Sequence, residues 1–291
     1  MFNERQIPIL KRIPVTLGKL IIARAIYHVL RIFLHRDQYI IQRSGICYEV
    51  NLREGIDLSL FLMGSFQGYI VGNNLFSLPN DAVVLDVGAN IGSMALRFAQ
   101  LAKQGHVYAF EPTDFAFEKL LRNVSLNPEL SRRITPVQSF LSDHSEARCQ
   151  IRVYASWKID GTVAVKHPLH GGIIQPAEGV SAVTIDDFCK KRGLHRVDLI
   201  KIDTDGHELE VVRGAHKTIE KYRPCVIFEA GLYIMKEHKV AFELFFDYFS
   251  YRGYTLINCK NGKIITLDNY FKQIPLRYTT DIVALPSERS R

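Results

Sequence analysis

The sequence is poor in the features that staple or anchor a fold from outside. It holds 5 cysteines in 291 residues, Cys47, Cys149, Cys189, Cys225 and Cys259, and none stands in a C-x-x-C pair. The odd count, the scatter and the apolar surroundings exclude a disulfide framework and a structural zinc site. They point to reduced, buried thiols in a cytosolic-type compartment. No long uncharged apolar run occurs. The best candidate, 17–34, is interrupted by Lys19, Arg24, His28 and Arg31, whereas a spanning helix needs about 20 nearly uncharged residues. No small-x-small cleavage site follows it, which argues against a signal peptide. Internal repeats and low-complexity tracts are also missing. With 47% hydrophobic and 23% charged residues, the chain is neither disordered nor fibrous. Its length suits one catalytic-size domain with an appendage and allows a large core without staples.

Acidic residues are scarce in one place only. Residues 1–43 carry eight Arg and Lys against Glu4 and Asp37, so six of the seven net positive charges lie there. The remainder is nearly neutral and has no basic stripe with interleaved aromatics, which speaks against a nucleic-acid partner. In the arm, Arg24, His28, Arg31 and His35 fall at helical steps on one stripe. The other faces are rich in Leu, Ile, Val and Phe and require a cover. That cover is either the protein itself, on its own core or in a homodimer, or an anionic lipid surface met by residues 10–36. The expected location is cytoplasmic, with membrane association through the arm as the alternative.

Three segments follow from these patterns: a basic amphipathic helical arm over 1–43, an extension packing on the core over 44–80, and a catalytic domain over 81–291. The extension opens with a strand-like alternation at Ile46, Tyr48 and Val50 and ends at the turn-rich Leu78-Pro79-Asn80-Asp81. Strands and helices then alternate. Strands are expected at Ala82–Gly88, His106–Phe110 and Arg133–Phe140, with helices at Ile91–Lys103 and Phe115–Leu126 between them. Residues 144–180 break the alternation and read as a hairpin insertion, with strands at Arg148–Ala155 and Thr162–Val165. Helices at Ile185–Arg192, Glu208–Lys221 and Val240–Tyr251 then alternate with strands at Val197–Ile202 and Cys225–Phe228. Strands at Tyr254–Asn258, Lys263–Leu267 and Asp281–Ala284 close the chain. The pattern predicts an α/β fold, a doubly wound Rossmann-like sheet that is mostly parallel with an antiparallel edge and binds ligands at the carboxyl ends of its strands.

The first strand runs into Asp86-Val-Gly88-Ala89-Asn90-Ile-Gly92. Glycines at 88 and 92 permit a tight turn and a close approach of backbone to ligand. Glu111 ends the second strand, 23 residues after Gly88, where an acid grips a ribose diol in dinucleotide folds, roughly 20 residues on. A dinucleotide loop wants a glycine where Asn90 stands, and a bare backbone against pyrophosphate. Asp86 beside pyrophosphate is unfavourable, but beside a sulfonium and an ammonium it is favourable. Ser142 and Asp143 end the third strand and can face an adenine edge. Nicotinamide-dependent redox chemistry is therefore the weaker reading.

These residues carry a resemblance. Leu85-Asp-Val-Gly-Ala-Asn-Ile-Gly92, Phe110-Glu-Pro112, Asn123 with Asn127, and Ile200-Lys-Ile-Asp-Thr-Asp-Gly-His-Glu208 are similar to the FkbM family of S-adenosylmethionine-dependent methyltransferases. The resemblance covers about 82–230, with a weaker likeness around Gly64-Ser-Phe-Gln67. It implies a class I methyltransferase fold, S-adenosylmethionine as cofactor and methylation of a hydroxyl on a sugar, glycan or natural product. Asp86, Gly88, Ala89, Asn90, Gly92, Glu111, Pro112, Ser142 and Asp143 are the expected cofactor residues. This chain has Asp205 and Gln67 where the family commonly has Glu.

A sugar hydroxyl is a poor nucleophile, so a positioned carboxylate or imidazole must take its proton as the methyl arrives. Asp203, Asp205, His207, Glu208 and Glu229 are the candidates. Asp203 and Glu229 end adjacent strands and lead as bases, with Asp205 and Glu208 as hydroxyl anchors. Glu208 can equally stabilise a helix N-terminus. The same oxygens could hold a divalent metal, and a cofactor-binding scaffold without turnover is a further alternative. In the insertion, His167 and His170 read as a metal pair or as imidazoles facing the substrate. Tyr154 and Trp157 read as strand packing or as a stacking surface for an acceptor ring.

Overall fold

The computed structural model describes residues 17–72, 74–159 and 172–289. Helix Leu17–Phe33 (α1) leads into a hairpin of Gln38–Arg43 (β1) and Ile46–Asn51 (β2), then Gly55–Met63 (α2) and the short helix Gly68–Val71 (α3). The alternating region begins with Val83–Val87 (β3), Ser93–Leu101 (α4), His106–Phe110 (β4), Asp114–Ser125 (α5), Pro128–Ser131 (α6) and Ile134–Val137 (β5). Phe140–Leu141 (β6), Glu146–Ser156 (β7) and Ile173–Val183 (β8) form a separate three-stranded sheet. Then come Ile185–Arg192 (α7), Leu199–Ile202 (β9), Glu208–Gly214 (α8), His216–Tyr222 (α9), Cys225–Ala230 (β10), Leu232–Glu237 (α10), Phe242–Tyr251 (α11), Tyr254–Asn258 (β11), Tyr270–Gln273 (α12) and Thr280–Pro286 (β12).

The main sheet has seven strands in the order β11-β12-β10-β9-β3-β4-β5. Five are parallel, and β12 is antiparallel to both of its neighbours. The fold is therefore the expected α/β, doubly wound, mostly parallel sheet. Its antiparallel strand lies one place inside the edge, because β11 returns to flank it. Strand order reverses between β3 and β9, and that switch point puts a crevice at their carboxyl ends.

Buried strands read as continuous apolar runs because helices cover both faces. One core layer joins Val84, Phe98, Val107 and Leu120 to Tyr27, Tyr48, Leu58 and Ile70 of the arm and extension. The other gathers Phe110, Phe188, Val212, Phe228, Phe245 and Phe249. Phe228 stacks on Phe245 at 4.9 Å and on Phe249 at 5.6 Å. Local signals set the helix ends. Thr113 and Thr184 cap α5 and α7 by accepting from Ala116 and Asp187 N–H. Gly193 ends α7 in the left-handed conformation, φ 63°.

Several segments differ from their sequence pattern. The strand expected at Arg133–Phe140 is two pieces. β5 stays in the main sheet, while β6 leaves it to pair with β8. The helix expected over 208–221 is broken at Ala215, where φ is −104° and ψ 12°. The strand expected at Lys263–Leu267 is only a bridge between Ile264 and Ile257. Asn258 and Asn269 side chains bond the backbone there and take over from a strand ladder. In the insertion, the partner of β7 is β8. The strand expected at 162–165, and His167 and His170, lie outside the described residues.

The β1–β2 hairpin straddles residue 43, where arm and extension were expected to part. Tyr27 of α1 is buried and its hydroxyl donates to Asp37 at 3.1 Å, while Arg24 Nε donates to Ile159 O at 2.9 Å. Val29, Ile32 and Phe33 on another side of α1 are exposed. Among the described residues no helix is long and apolar enough to cross a membrane. Cys189, Cys225 and Cys259 are buried free thiols, and Cys47 is partly buried.

Candidate active site

The turn after β3 is shaped by what cannot fit there. A Cβ on Gly88 would sit 1.8 Å from the carbonyl oxygen of Asp203, and one on Gly92 would sit 2.5 Å from Leu120 Cδ1. Both glycines have positive φ, 75° and 83°, so a side chain is excluded by strain as well as space. Ala89 N–H and Gly88 N–H both donate to Phe110 O, at 2.9 and 3.0 Å. Asn90, also left-handed at φ 48°, donates its N–H to Glu111 Oε2 at 3.1 Å. Glu111 is buried behind Pro112, and its other oxygen accepts from Thr113 N and Oγ1 at 3.0 and 2.6 Å. Burial raises its carboxyl above the ordinary range against those hydrogen bonds. The turn between β3 and α4 and the acid ending β4 are therefore one cradle. Beside it, a small recess is walled in part by Asn90, Phe115 and Trp157.

Asp86 lies inside β3, fully buried, directly opposite Lys201 of β9 in the strand register. Lys201 Nζ stands 3.9 Å from Asp86 Oδ1 and 3.0 Å from Asp203 Oδ2. Neither Asp86 oxygen has a hydrogen-bond partner, and burial pushes this carboxyl up to about 6. Burial opposes the charge on Lys201, but Asp203 and Asp86 outweigh it and raise the ammonium above its usual range. Lys201 is one residue of this cluster that pattern reading missed. A lysine between two buried isoleucines, two residues before an aspartate, was the available signal.

The acids brought together beyond β9 and β10 are Asp203, Asp205, Glu208 and Glu229. Asp203 follows β9, and its N–H bonds Val87 O at 3.0 Å, which ties it to the cradle strand. Glu229 lies in β10 opposite Asp281 of β12 and accepts from Thr279 Oγ1 at 2.5 Å. Asp205 is left-handed at φ 51°, a strained conformation of the kind that gathers at working sites. Asp205 and Glu229 are partly accessible at the surface yet enclosed by protein on most sides. That enclosure, with the charge of Asp203 next, lifts both well above the ordinary carboxylate range. Asp281 is raised by burial and then by Asp203. It was not singled out from sequence, because its strand, β12, is distant in the chain.

Glu208 has a local task. It accepts from Thr204 N, Thr204 Oγ1 and Gly206 N, at 2.9, 3.1 and 3.0 Å, and so closes the turn that presents Asp203 and Asp205. His207 sits on the far side of that turn. Its Nδ1 faces Glu210 Oε2 at 3.2 Å, and its ring meets Phe140 and His238 edge to face. Burial opposes its charge, but Glu210 raises it, while burial and His207 lower His238. Ser142 is buried. Asp143 is half exposed and pairs with His144 Nδ1 at 2.8 Å, which holds its carboxyl below the usual range. Among the described residues no group of three or more His, Cys, Asp or Glu side chains is placed to hold a metal ion.

The fit to a cationic nucleoside rests on this chemistry. Two orphaned carboxylate oxygens at Asp86, an acid at the ribose position and backbone too close for a Cβ suit a sulfonium carrying an adenosine. They do not suit a pyrophosphate.

Comparison with known proteins agrees with that donor set. The Methyltransferase FkbM domain family matches residues 86–256. The 2-O-methyltransferase NoeI of Sinorhizobium fredii is 32% identical over 157 residues, which is 49% of this chain and 61% of that protein. The hexuronic acid methyltransferase AglP of Haloferax volcanii is 24% identical over 147 residues, 50% of this chain and 55% of that one. Among solved structures, Methyltransferase FkbM from Methylobacillus flagellatus KT aligns with a TM-score of 0.48 and 18% identity, over 74% of this chain and 47% of that one.

Proposed function

The chain belongs to the FkbM methyltransferase family, and we propose that it methylates a hydroxyl of a sugar, glycan or natural-product acceptor from S-adenosylmethionine, with a carboxylate as general base. The observation that carries this reading is the contact of the Gly88 turn with Asp203, where the backbones meet too closely for a Cβ. It supports reading the glycine turn and the acidic cluster as two sides of one crevice. The names of two relatives, a 2-O-methyltransferase and a hexuronic acid methyltransferase, favour a sugar hydroxyl.

When bound, S-adenosylmethionine supplies an electrophilic methyl group on a sulfonium. Asp86, Gly88, Ala89, Asn90, Gly92, Glu111 and Pro112 would hold it, with Ser142 and Asp143 toward the adenine. Asp203 takes the acceptor's hydroxyl proton as the carbon–oxygen bond forms and the carbon–sulfur bond breaks. Lys201 pairs with Asp203 at 3.0 Å and holds that carboxylate in place. Asp205 and Glu229, both lifted well above the ordinary carboxylate range by their enclosure, would anchor neighbouring hydroxyls and fix the acceptor in line. Glu208 holds the turn.

Labelled methyl transfer to a panel of hexoses, uronic acids and glycosides tests the reading. Label is expected on an oxygen of at least one member. Calorimetry showing tight NAD binding and none for S-adenosylmethionine would overturn it. Mass spectrometry of glycans from cells with and without the gene is expected to show the loss of one CH2 increment.

A further inference from the structure

Gln67 and Tyr69 lack a role in the account above, and they belong to a segment that the family match does not reach. The matched region starts at residue 86, yet Gln67 Nε2 donates to Asp203 Oδ2 at 2.9 Å. Lys201 Nζ reaches the same oxygen at 3.0 Å. Gln67 Oε1 is buried with no hydrogen-bond partner, which a residue serving only to pack would not leave. Two residues on, the Tyr69 hydroxyl donates to Asp281 Oδ2, and Asp281 also lies outside the matched region. Gln67 is held at φ 50° as the residue capping α3, a conformation disfavoured for a side chain with a Cβ.

We propose that Gln67 is the positioning residue of this site. With Lys201 it pins one oxygen of Asp203, so that Oδ1 faces the acceptor, and the extension thereby completes a catalytic centre that the family domain alone leaves open. This rests on the reading of Asp203 as general base. The amide orientation follows from charge. Turned over, Gln67 would set a carbonyl oxygen against a carboxylate, so its NH2 must face Asp203. Neutrality matters as much as geometry. Asp203 already lies among Asp86, Asp205, Glu208, Glu229 and Asp281, with Lys201 as the cation facing it. A carboxylate at 67, the type the resemblance leads one to expect there, would add negative charge to this cluster unless it kept its proton, whereas an amide donates without adding charge. The αL turn at Gln67 and the Tyr69–Asp281 bond, across the sheet, hold the amide in place.

The test compares the full chain with Q67E and Q67L by thermal unfolding from pH 5 to 9, which needs no acceptor. Protonated Glu is shaped like Gln and can donate the same hydrogen bond. Q67E is therefore expected to melt within about 2 °C of wild type at pH 5 and to fall about 4–8 °C below it as its proton leaves. Q67L loses the donor without gaining a titrating group, so its deficit should be flat over that range. A Q67E deficit that does not grow with pH would overturn the proposal. If Q67E folds at no pH, a double-mutant cycle decides instead. Q67L should cost less than half as much Tm in D203N as in wild type, and equal losses would refute the coupling. On any acceptor that wild type methylates, Q67L should lower kcat about 10–100-fold with KM within about threefold, and Q67E should move the acid-limb rise of kcat/KM up by about one pH unit or more. If wild type labels no panel member, the proposed reaction fails while the melting series still rules on Gln67.

Discussion

Asp203 differs from the acids around it in how its charge is met. Two donors reach it, Lys201 and Gln67, whereas both oxygens of Asp86 are orphaned and Asp205 and Glu229 are raised by enclosure. One carboxylate met by two donors beside others raised by enclosure is a difference of environment that acid–base chemistry uses. D203N should thus lower methyl transfer about 10²–10⁴-fold, while calorimetric affinity for S-adenosylmethionine changes little. E208Q should act mainly on stability, by about 1–3 kcal/mol, since Glu208 clamps the 204–206 turn. The cluster also sets a pH dependence. Asp86, Asp205, Glu229 and Asp281 titrate higher folded than unfolded, so the native state holds more protons and stability falls as pH rises through that window. For Asp86 the window runs from its ordinary 3.8 to about 6, and enclosure raises Asp205 and Glu229 in the same direction. Tm measured calorimetrically should decline from pH 5 to 8, and D205N or E229Q should flatten the decline. A wild-type Tm that climbs across that range would contradict the assignment. At this scale, the acids closing β9 and β10 were legible because strand ends face the crevice. Lys201 and Asp281 were not, because only strand register puts Lys201 opposite Asp86 and Asp281 opposite Glu229.

Among elements, the fully buried strands and the capped helices follow from their patterns, and the breaks do not. Ala215 has helical propensity, yet it interrupts α8 and α9. The nearest packing constraint is Gly214, where a Cβ would stand 2.0 Å from Ser142 O. The two asparagines of the family-like pattern turn out to join elements. Asn123 accepts from Glu49 N–H at 2.8 Å and donates to Ile91 O at 2.8 Å. Asn127 accepts from Cys47 N–H and donates to Cys47 O, at 2.8 and 2.7 Å. They join β2 to α5, to the residues just after it and to the glycine turn that follows β3. N123A should cost about 1–3 kcal/mol by leaving those buried groups unpaired, and hydrogen exchange should localise the opening to 46–51. F245A, by contrast, removes a ring stacked on Phe228 and should cost about 3–5 kcal/mol in urea unfolding without touching the cradle.

At the scale of the molecule, the arm and extension are part of the core. Tyr27, Tyr48 and Leu58 share one apolar cluster with Met94 and Phe98, and Arg24 anchors α1 to the foot of the insertion at Ile159. Removing residues 1–43 should therefore lower Tm by several degrees and strip β2 of its hairpin partner β1, a loss measurable by calorimetry. Flotation with anionic vesicles, with and without those residues, reads the separate question of what meets the exposed Val29, Ile32 and Phe33. By itself the sequence determined the alternation, the glycine turn with its acid partner, the acidic strand ends and the confinement of positive charge to the arm. Each of these is written in neighbouring residues, through side-chain period, backbone freedom or plain counting. The tertiary structure alone decided that Lys201 faces Asp86, that Asp281 stands beside Glu229, and that Gln67 reaches 136 residues along the chain to Asp203. Those contacts arise from strand order and from the docking of one layer on another, and no local pattern encodes a distance between segments that meet only when the sheet closes.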